Sequence, residues 1–212
     1  MIGKLMPMTR RLIQLYAGLV LYGISLAMEV RAGLGLDPWD VFHQGIAEHT
    51  GLSFGTVVIV VGAAVLLAWI PIRQRPGVGT VSNVIVIGLV VDVGLDVIPP
   101  AGPLGVQFAL MLGGVFLNAV AGAAYIGAGL GPGPRDGLMT GLVARTGRSV
   151  RLVRTSIEVS VLTVGALLGG TVGIATVVYA LGIGPLLHVL LPLFTVRPSP
   201  RSPLSPAPQP AR

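Results

Sequence analysis

Apolar runs close to twenty residues long recur along the chain, separated by short polar or proline-rich breaks. They cover about residues 12–30, 53–70, 78–98, 105–126, 153–168 and 174–194. A hydrocarbon layer about 30 Å thick needs about twenty apolar residues in a helix, so each run predicts a membrane span. Lys4, Arg10 and Arg11 precede the first run. That run is too long for a signal-peptide core, and no small-x-small cleavage site closes it, so it reads as an uncleaved first span. Pro99-Pro100-Ala101-Gly102-Pro103 forms a rigid turn. Gly169-Gly170 ends the fifth run, and the sixth is expected to bend at 182–185.

Two polar stretches interrupt this pattern and resemble each other. Residues 32–51 read A-G-L-G-L-D-P-W-D-V-F-H-Q-G-I-A-E-H-T-G, and 128–147 read A-G-L-G-P-G-P-R-D-G-L-M-T-G-L-V-A-R-T-G; 9 of 20 positions are identical without a gap. This composition gives about two matches by chance, so the pair reads as an internal repeat. The same offset of 96 pairs Gly18 with Gly114, Leu21 with Leu117, Val65 with Val161, Gly77 with Gly173, and Thr80 with Thr176. The expected fold is an all-α polytopic membrane protein. Six transmembrane helices form two inverted three-span repeats, each with a Gly-rich short helix that is either re-entrant or amphipathic. An odd number of spans per half makes the halves insert in opposite senses, a plan common among secondary transporters. The divisions are an amino-terminal segment 1–10, repeat 1 over 11–98 with short helix 38–50, a linker 99–103, repeat 2 over 104–195 with short helix 134–147, and a disordered Pro/Ser/Arg tail over 196–212.

Charge supplies an orientation. Six alternating spans with the amino terminus in the cytoplasm leave every basic residue except Arg31 on the cytoplasmic side, 13 of the 14. Both termini are therefore expected in the cytoplasm, in a bacterial inner membrane. The same distribution accounts for the net charge of +6 without nucleic acid. Only 10% of the residues are charged, against about a quarter in soluble domains. The chain contains no cysteine, which excludes disulfides, thiolate metal sites and cysteine nucleophiles.

The shared pattern of the two stretches is G-x-G-x-x-P-x-D. Gly33 and Gly35 permit a non-helical turn, Asp37 suits an N-cap, Pro38 the first helical position, and Asp40 the first turn. Gly131, Gly133, Pro134 and Asp136 repeat the plan. The candidate substrate-binding residues are Gly35, Asp37, Trp39, Asp40, Gly131, Asp136 and the intramembrane Asn118, whose repeat partner is Tyr22. The alternative is a pair of capped amphipathic helices at the membrane surface. Polar groups inside spans are costly, which makes Asp92, His188 and Glu158 candidates for a proton or ion relay. Against that stand an interfacial Asp92, a single hydrogen bond from His188, and an i,i+4 pair of Glu158 with Arg154. Glu29 beside Arg31 reads as an interfacial anchor, as do Trp39, Trp69 and Tyr16. His43 and His49 are six apart and face different ways, so no metal is expected. No nucleophile triad, catalytic carboxylate pair, nucleotide loop or zinc motif is present; neither enzymatic activity nor a cofactor is expected.

Residues 33–57, G-L-G-L-D-P-W-D-V-F-H-Q-G-I-A-E-H-T-G-L-S-F-G-T-V, followed by G-V-G-T-V-S-N-V-I-V-I-G over 77–88, resemble the bacterial YczE/YyaS/YitT group of integral membrane proteins, closest to its YczE-like branch. The likeness runs from about residue 11 to 191 and implies a multi-span protein of the cytoplasmic membrane; it brings no catalytic or substrate residues. The functional expectation is a small secondary transporter driven by an ion or proton gradient. The rival is a non-catalytic membrane scaffold using the Arg145–Arg154 cluster. Expected partners are membrane lipid and a small-molecule or ion substrate, with self-association left open. Substrate, coupling ion and direction are not legible.

Overall fold

The computed structural model describes residues 8–195, all helical or in short connections. The expected tail over 196–212 and most of the segment 1–10 lie outside the described residues. Eight helices follow one another: α1 (Met8–Ala32), α2 (Pro38–Thr50), α3 (Phe54–Ile72), α4 (Val78–Val97), α5 (Leu104–Gly127), α6 (Pro134–Thr146), α7 (Val150–Leu167) and α8 (Ile174–Phe194). Five of them, α1, α3, α4, α5 and α8, are long and apolar enough to cross a membrane. Helix α7, expected as a sixth span, carries Arg151, Arg154 and Glu158 within its 18 residues. Its charge, rather than its length alone, keeps it out of that set. Helix α8 runs unbroken from Ile174 to Phe194, with Pro185 inside it.

The two short helices begin and end where local chemistry requires. Asp37 caps α2, its carboxylate accepting from the backbone N–H of Trp39 and Asp40, with Pro38 at the first helical position. Gly51 closes α2 in the left-handed region at φ 70°, and Gly147 closes α6 at φ 65°. In α6 the capping position is Gly133, which has no side chain to offer.

The long helices form the frame around them. α1 packs most extensively on α5 and on α4, and α5 packs on α8. The short helices cross between the halves, α2 lying against α7 and α6 against α3. Contacts recur at the repeat offset. The Ala175 N–H donates to the Leu34 carbonyl at 2.9 Å, and the Gly79 N–H donates to the Leu130 carbonyl at 2.9 Å. Thr80 and Thr176 hydroxyls each accept from the backbone N–H three residues earlier, Gly77 and Gly173, at 3.1 and 3.2 Å. Gly18 abuts the backbone of Tyr125 and Ala121, while Gly114 abuts Glu29 and the Ser25 carbonyl.

The core lies inside the frame and includes Leu15, Leu19, Leu26, Val41, Val58, Ile87 and Val91. Large apolar side chains also cover the outside: Leu167 is 82% exposed, Leu193 77% and Leu181 73%. Water would penalise such a surface, and hydrocarbon does not. Three residues expected at the interface are instead interior. Trp69 is 1% exposed, donates its indole N–H to the Pro134 carbonyl at 3.1 Å and packs over Gly137. Glu29 is 2% exposed, enclosed where α1 crosses α5 at Gly114. Trp39 is also buried, whereas Tyr16 lies exposed on α1.

Candidate functional site

The starts of α2 and α6 meet in the middle of the bundle. Arg135 occupies the repeat position of Trp39, and the two stack on each other, the guanidinium carbon 5.1 Å from the indole centroid. The same guanidinium bridges two carboxylates of the other half, 3.5 Å from Asp37 Oδ1 and 3.2 Å from Asp40 Oδ1. Asp37 also holds the N-cap, accepting from Trp39 N–H at 2.8 Å and Asp40 N–H at 3.0 Å. His43 Nδ1 lies 2.8 Å from Asp40 Oδ1. Burial, reinforced by Arg135, lowers His43 to about 3, so its neutral ring donates to Asp40. Burial and the charge of Asp40 push Asp37 up to about 6, although Arg135 opposes them. Asp136 is also raised by burial, and Tyr125 donates its hydroxyl to Asp136 Oδ2 at 3.2 Å.

Beside this junction lies a cavity of about 170 Å³ walled by both halves. Its lining includes Tyr22, Asn118, Tyr125 and Tyr179 and the first turns of α2 and α6. Asn118 is held at both ends of its amide, donating to Ser25 Oγ at 3.0 Å and accepting from the Tyr179 hydroxyl at 3.1 Å. Arg154 and Glu158 also reach the cavity wall, paired at 2.8 Å in the expected i,i+4 geometry.

Of the residues singled out in the sequence, Asp37, Trp39, Asn118, Asp136 and Glu158 line the cavity. Asp40 stands behind it, buried and shared by Arg135 and His43. Gly35 and Gly131 shape the turns, at φ 107° and 130°, where a β-carbon would strike the opposite half. Asp92 binds elsewhere: it accepts from Ser53 Oγ at 2.6 Å and from Gly55 N–H at 2.7 Å, tying α4 to the start of α3. His188 is exposed on α8, and neither it nor Asp92 lines the cavity. Among the described residues no group of three His, Asp or Glu side chains is placed to hold a metal ion.

Sequence reasoning missed Arg135, His43, Tyr125 and Tyr179 as site residues. Arg135 was legible only as a cytoplasmic charge, because its carboxylate partners lie 95 and 98 residues away. The available signal was its place opposite Trp39 in the aligned repeats.

Comparison with known proteins adds a family. The model of a family of unknown function (DUF6198) matches residues 9–192, nearly all of the helical bundle. The chain belongs to that family. An uncharacterized protein of Haemophilus influenzae is 39% identical over 173 residues, spanning 82% of this chain and 79% of its own length. The uncharacterized membrane protein YczE of Bacillus subtilis is 33% identical over 180 residues, 84% of this chain and 83% of that one. The uncharacterized protein YyaS of the same organism is 22% identical over 180 residues, 83% of this chain and 90% of that one. No solved structure matches the chain. The YczE-like resemblance thus holds across the bundle, and the relative's membrane character agrees with five apolar helices and an apolar exterior.

Proposed function

We propose that the protein is a small secondary transporter of the bacterial cytoplasmic membrane, with six spans in two oppositely inserted halves and both termini in the cytoplasm. Helix α7 is the sixth span, its basic first turns at the cytoplasmic face. Helices α2 and α6 are re-entrant, each dipping from one side so that their starts meet at the centre. The observation that carries this reading is the cavity itself, lined by both helix starts and by Tyr22 and Asn118, which share one repeat position. Broken helices meeting at a polar centre are how carriers build solute sites within a bilayer. Irregular backbone at that depth is tolerated where it packs on protein, and the turns at Gly35 and Gly131 abut Gly173 and Gly77 of the opposite half.

A membrane scaffold is the second reading, favoured by the exposed Arg145, Arg148 and Arg151 around the α6–α7 connection. The two readings differ over water. A carrier admits a small hydrophilic thiol reagent to Met139→Cys on the cavity wall, from one side or the other, in sealed vesicles of defined orientation. A scaffold leaves that cysteine unreacted from both sides while exposed loop cysteines react, and that outcome would sink the transport reading.

A further inference from the structure

The charges around the cavity do not balance. Asp37, Asp136 and Glu158 line it and Asp40 stands directly behind, four carboxylates in all, against two guanidinium groups, Arg135 and Arg154. Each guanidinium is already engaged: Arg135 with Asp37 and Asp40, Arg154 with Glu158. His43 is neutral, as its burial dictates. The two helix starts contribute about half a positive charge each. About one negative charge is left uncompensated, beside two carboxylates that are each 1% exposed.

One carboxylate oxygen is free to use it. Asp37 is 1% exposed and lines the cavity; its Oδ1 takes the backbone N–H bonds and the guanidinium, while Oδ2 has no hydrogen-bond partner. Asp40 Oδ2 is likewise unpartnered. Buried carboxylate oxygens are costly to leave unpaired, so the site is short of a donor rather than of an acceptor. Four aromatic rings, Trp39, Tyr22, Tyr125 and Tyr179, stand in the wall among aliphatic side chains such as Val84 and Ile87. Aromatic faces attract organic cations, and the Arg135–Trp39 stack already holds one guanidinium in this way.

We infer that the cavity binds a small organic monocation of the ammonium or guanidinium class, its charged N–H donors directed at the Asp37 carboxylate and its body against the tyrosines. This names a ligand class for the cavity and rests on reading that cavity as the substrate site. Size limits the ligand further. A cavity of about 150 Å³ holds one benzene, so about 170 Å³ suits roughly six to eight non-hydrogen atoms. An anion would find no guanidinium among the lining residues without a carboxylate partner.

The test uses the full chain purified in detergent, with methylguanidinium and ethylammonium as cationic probes, acetamide as a neutral probe and acetate as an anionic one. The readout is thermal stabilisation, together with tryptophan fluorescence as probe is added. The cations should raise the unfolding temperature saturably, and acetamide and acetate should not. Asp37→Asn keeps the capping oxygen but not the charge, and should weaken methylguanidinium binding at least about tenfold. Tyr179→Leu, which leaves every carboxylate in place, should weaken it several-fold and serves if Asp37→Asn does not fold. Stabilisation by acetate instead, undiminished binding in both variants, or no saturable response to either cation at about 10 mM overturns the inference. Cation binding without water access to Met139→Cys would sink transport and leave the ligand class standing. Water access without cation binding would do the reverse.

Discussion

A single guanidinium joins the two halves at their centre, and its removal should be felt more strongly than its partial exposure suggests. Asp37 and Asp40 are each 1% exposed, and both lean on Arg135. Arg135→Met leaves two buried carboxylates facing one another without a cation. Breaking a buried pair from one side costs about 3–5 kcal/mol. Arg135→Lys should recover part of that loss, since lysine restores charge but not the planar stack on Trp39. Unfolding of the detergent-solubilised variants measures both, and a cost for Arg135→Met below about 1 kcal/mol, the level of a surface pair, would remove the buried bridge from the account. Asp37 itself supports a second prediction, through its pKa. The folded protein holds this carboxyl at about 6 against an ordinary 3.8, so the fold favours its protonated form. That stabilisation is complete below the ordinary value and is lost as pH rises through about 6. Asp37→Asn imitates the protonated form and retains the cap. The variant should therefore gain on the parent by roughly 2–3 kcal/mol between about pH 4 and pH 8, and an offset that is the same at both ends would contradict the raised pKa.

At the level of elements, the short helices were legible because their limits are local. Asp37 and Pro38 begin α2, and Gly51 and Gly147 end α2 and α6 in the left-handed region; each acts within a turn of the helix it bounds. Where these helices sit was less legible, since that depends on residues about a hundred positions away. Trp69 shows the difficulty. An aromatic near the end of an apolar run reads as an interfacial anchor, yet the absence of a side chain at Gly137 in α6 admits it to the interior. Asp92 is another case: the repeat pairs it with His188, but Ser53 and Gly55 take it as a tie between α3 and α4. Glycine substitutions separate packing from backbone freedom. A β-carbon on Gly35 would sit 2.5 Å from Gly173 N, and one on Gly131 would sit 2.7 Å from Thr80 Oγ1, both at positive φ. Gly35→Ala and Gly131→Ala should each cost about 2–4 kcal/mol, from strain and overpacking together. Gly182, inside α8 with open space around it, should accept alanine with a gain of up to about 1 kcal/mol. Comparable unfolding temperatures for the three variants would mean that the turns are not constrained by the opposite half.

For the whole molecule, the decisive property is the sense in which each half enters the bilayer. Leu52, between α2 and α3, and Arg148, between α6 and α7, are related by the repeat offset and both exposed. With the amino terminus in the cytoplasm, as proposed, α1 would cross outward and a re-entrant α2 would return to the same face, which would put Leu52 outside. In that proposed orientation α3, α4 and α5 would cross in turn, α6 would return on itself, and Arg148 would face the cytoplasm with Arg73, Arg75 and Arg145, as the positive-inside rule expects. The chain has no cysteine, so Leu52→Cys and Arg148→Cys each report one position without background. A membrane-impermeant maleimide applied to intact spheroplasts should label Leu52→Cys and spare Arg148→Cys until the membrane is opened. Labelling of both from one face would place the halves in the same sense. Helix starts that approach from one face cannot meet head to head at the centre, so the junction of Arg135 with Asp37 and Asp40 would then need a different origin. Labelling from opposite faces leaves oppositely inserted halves as the simplest arrangement that brings these residues together.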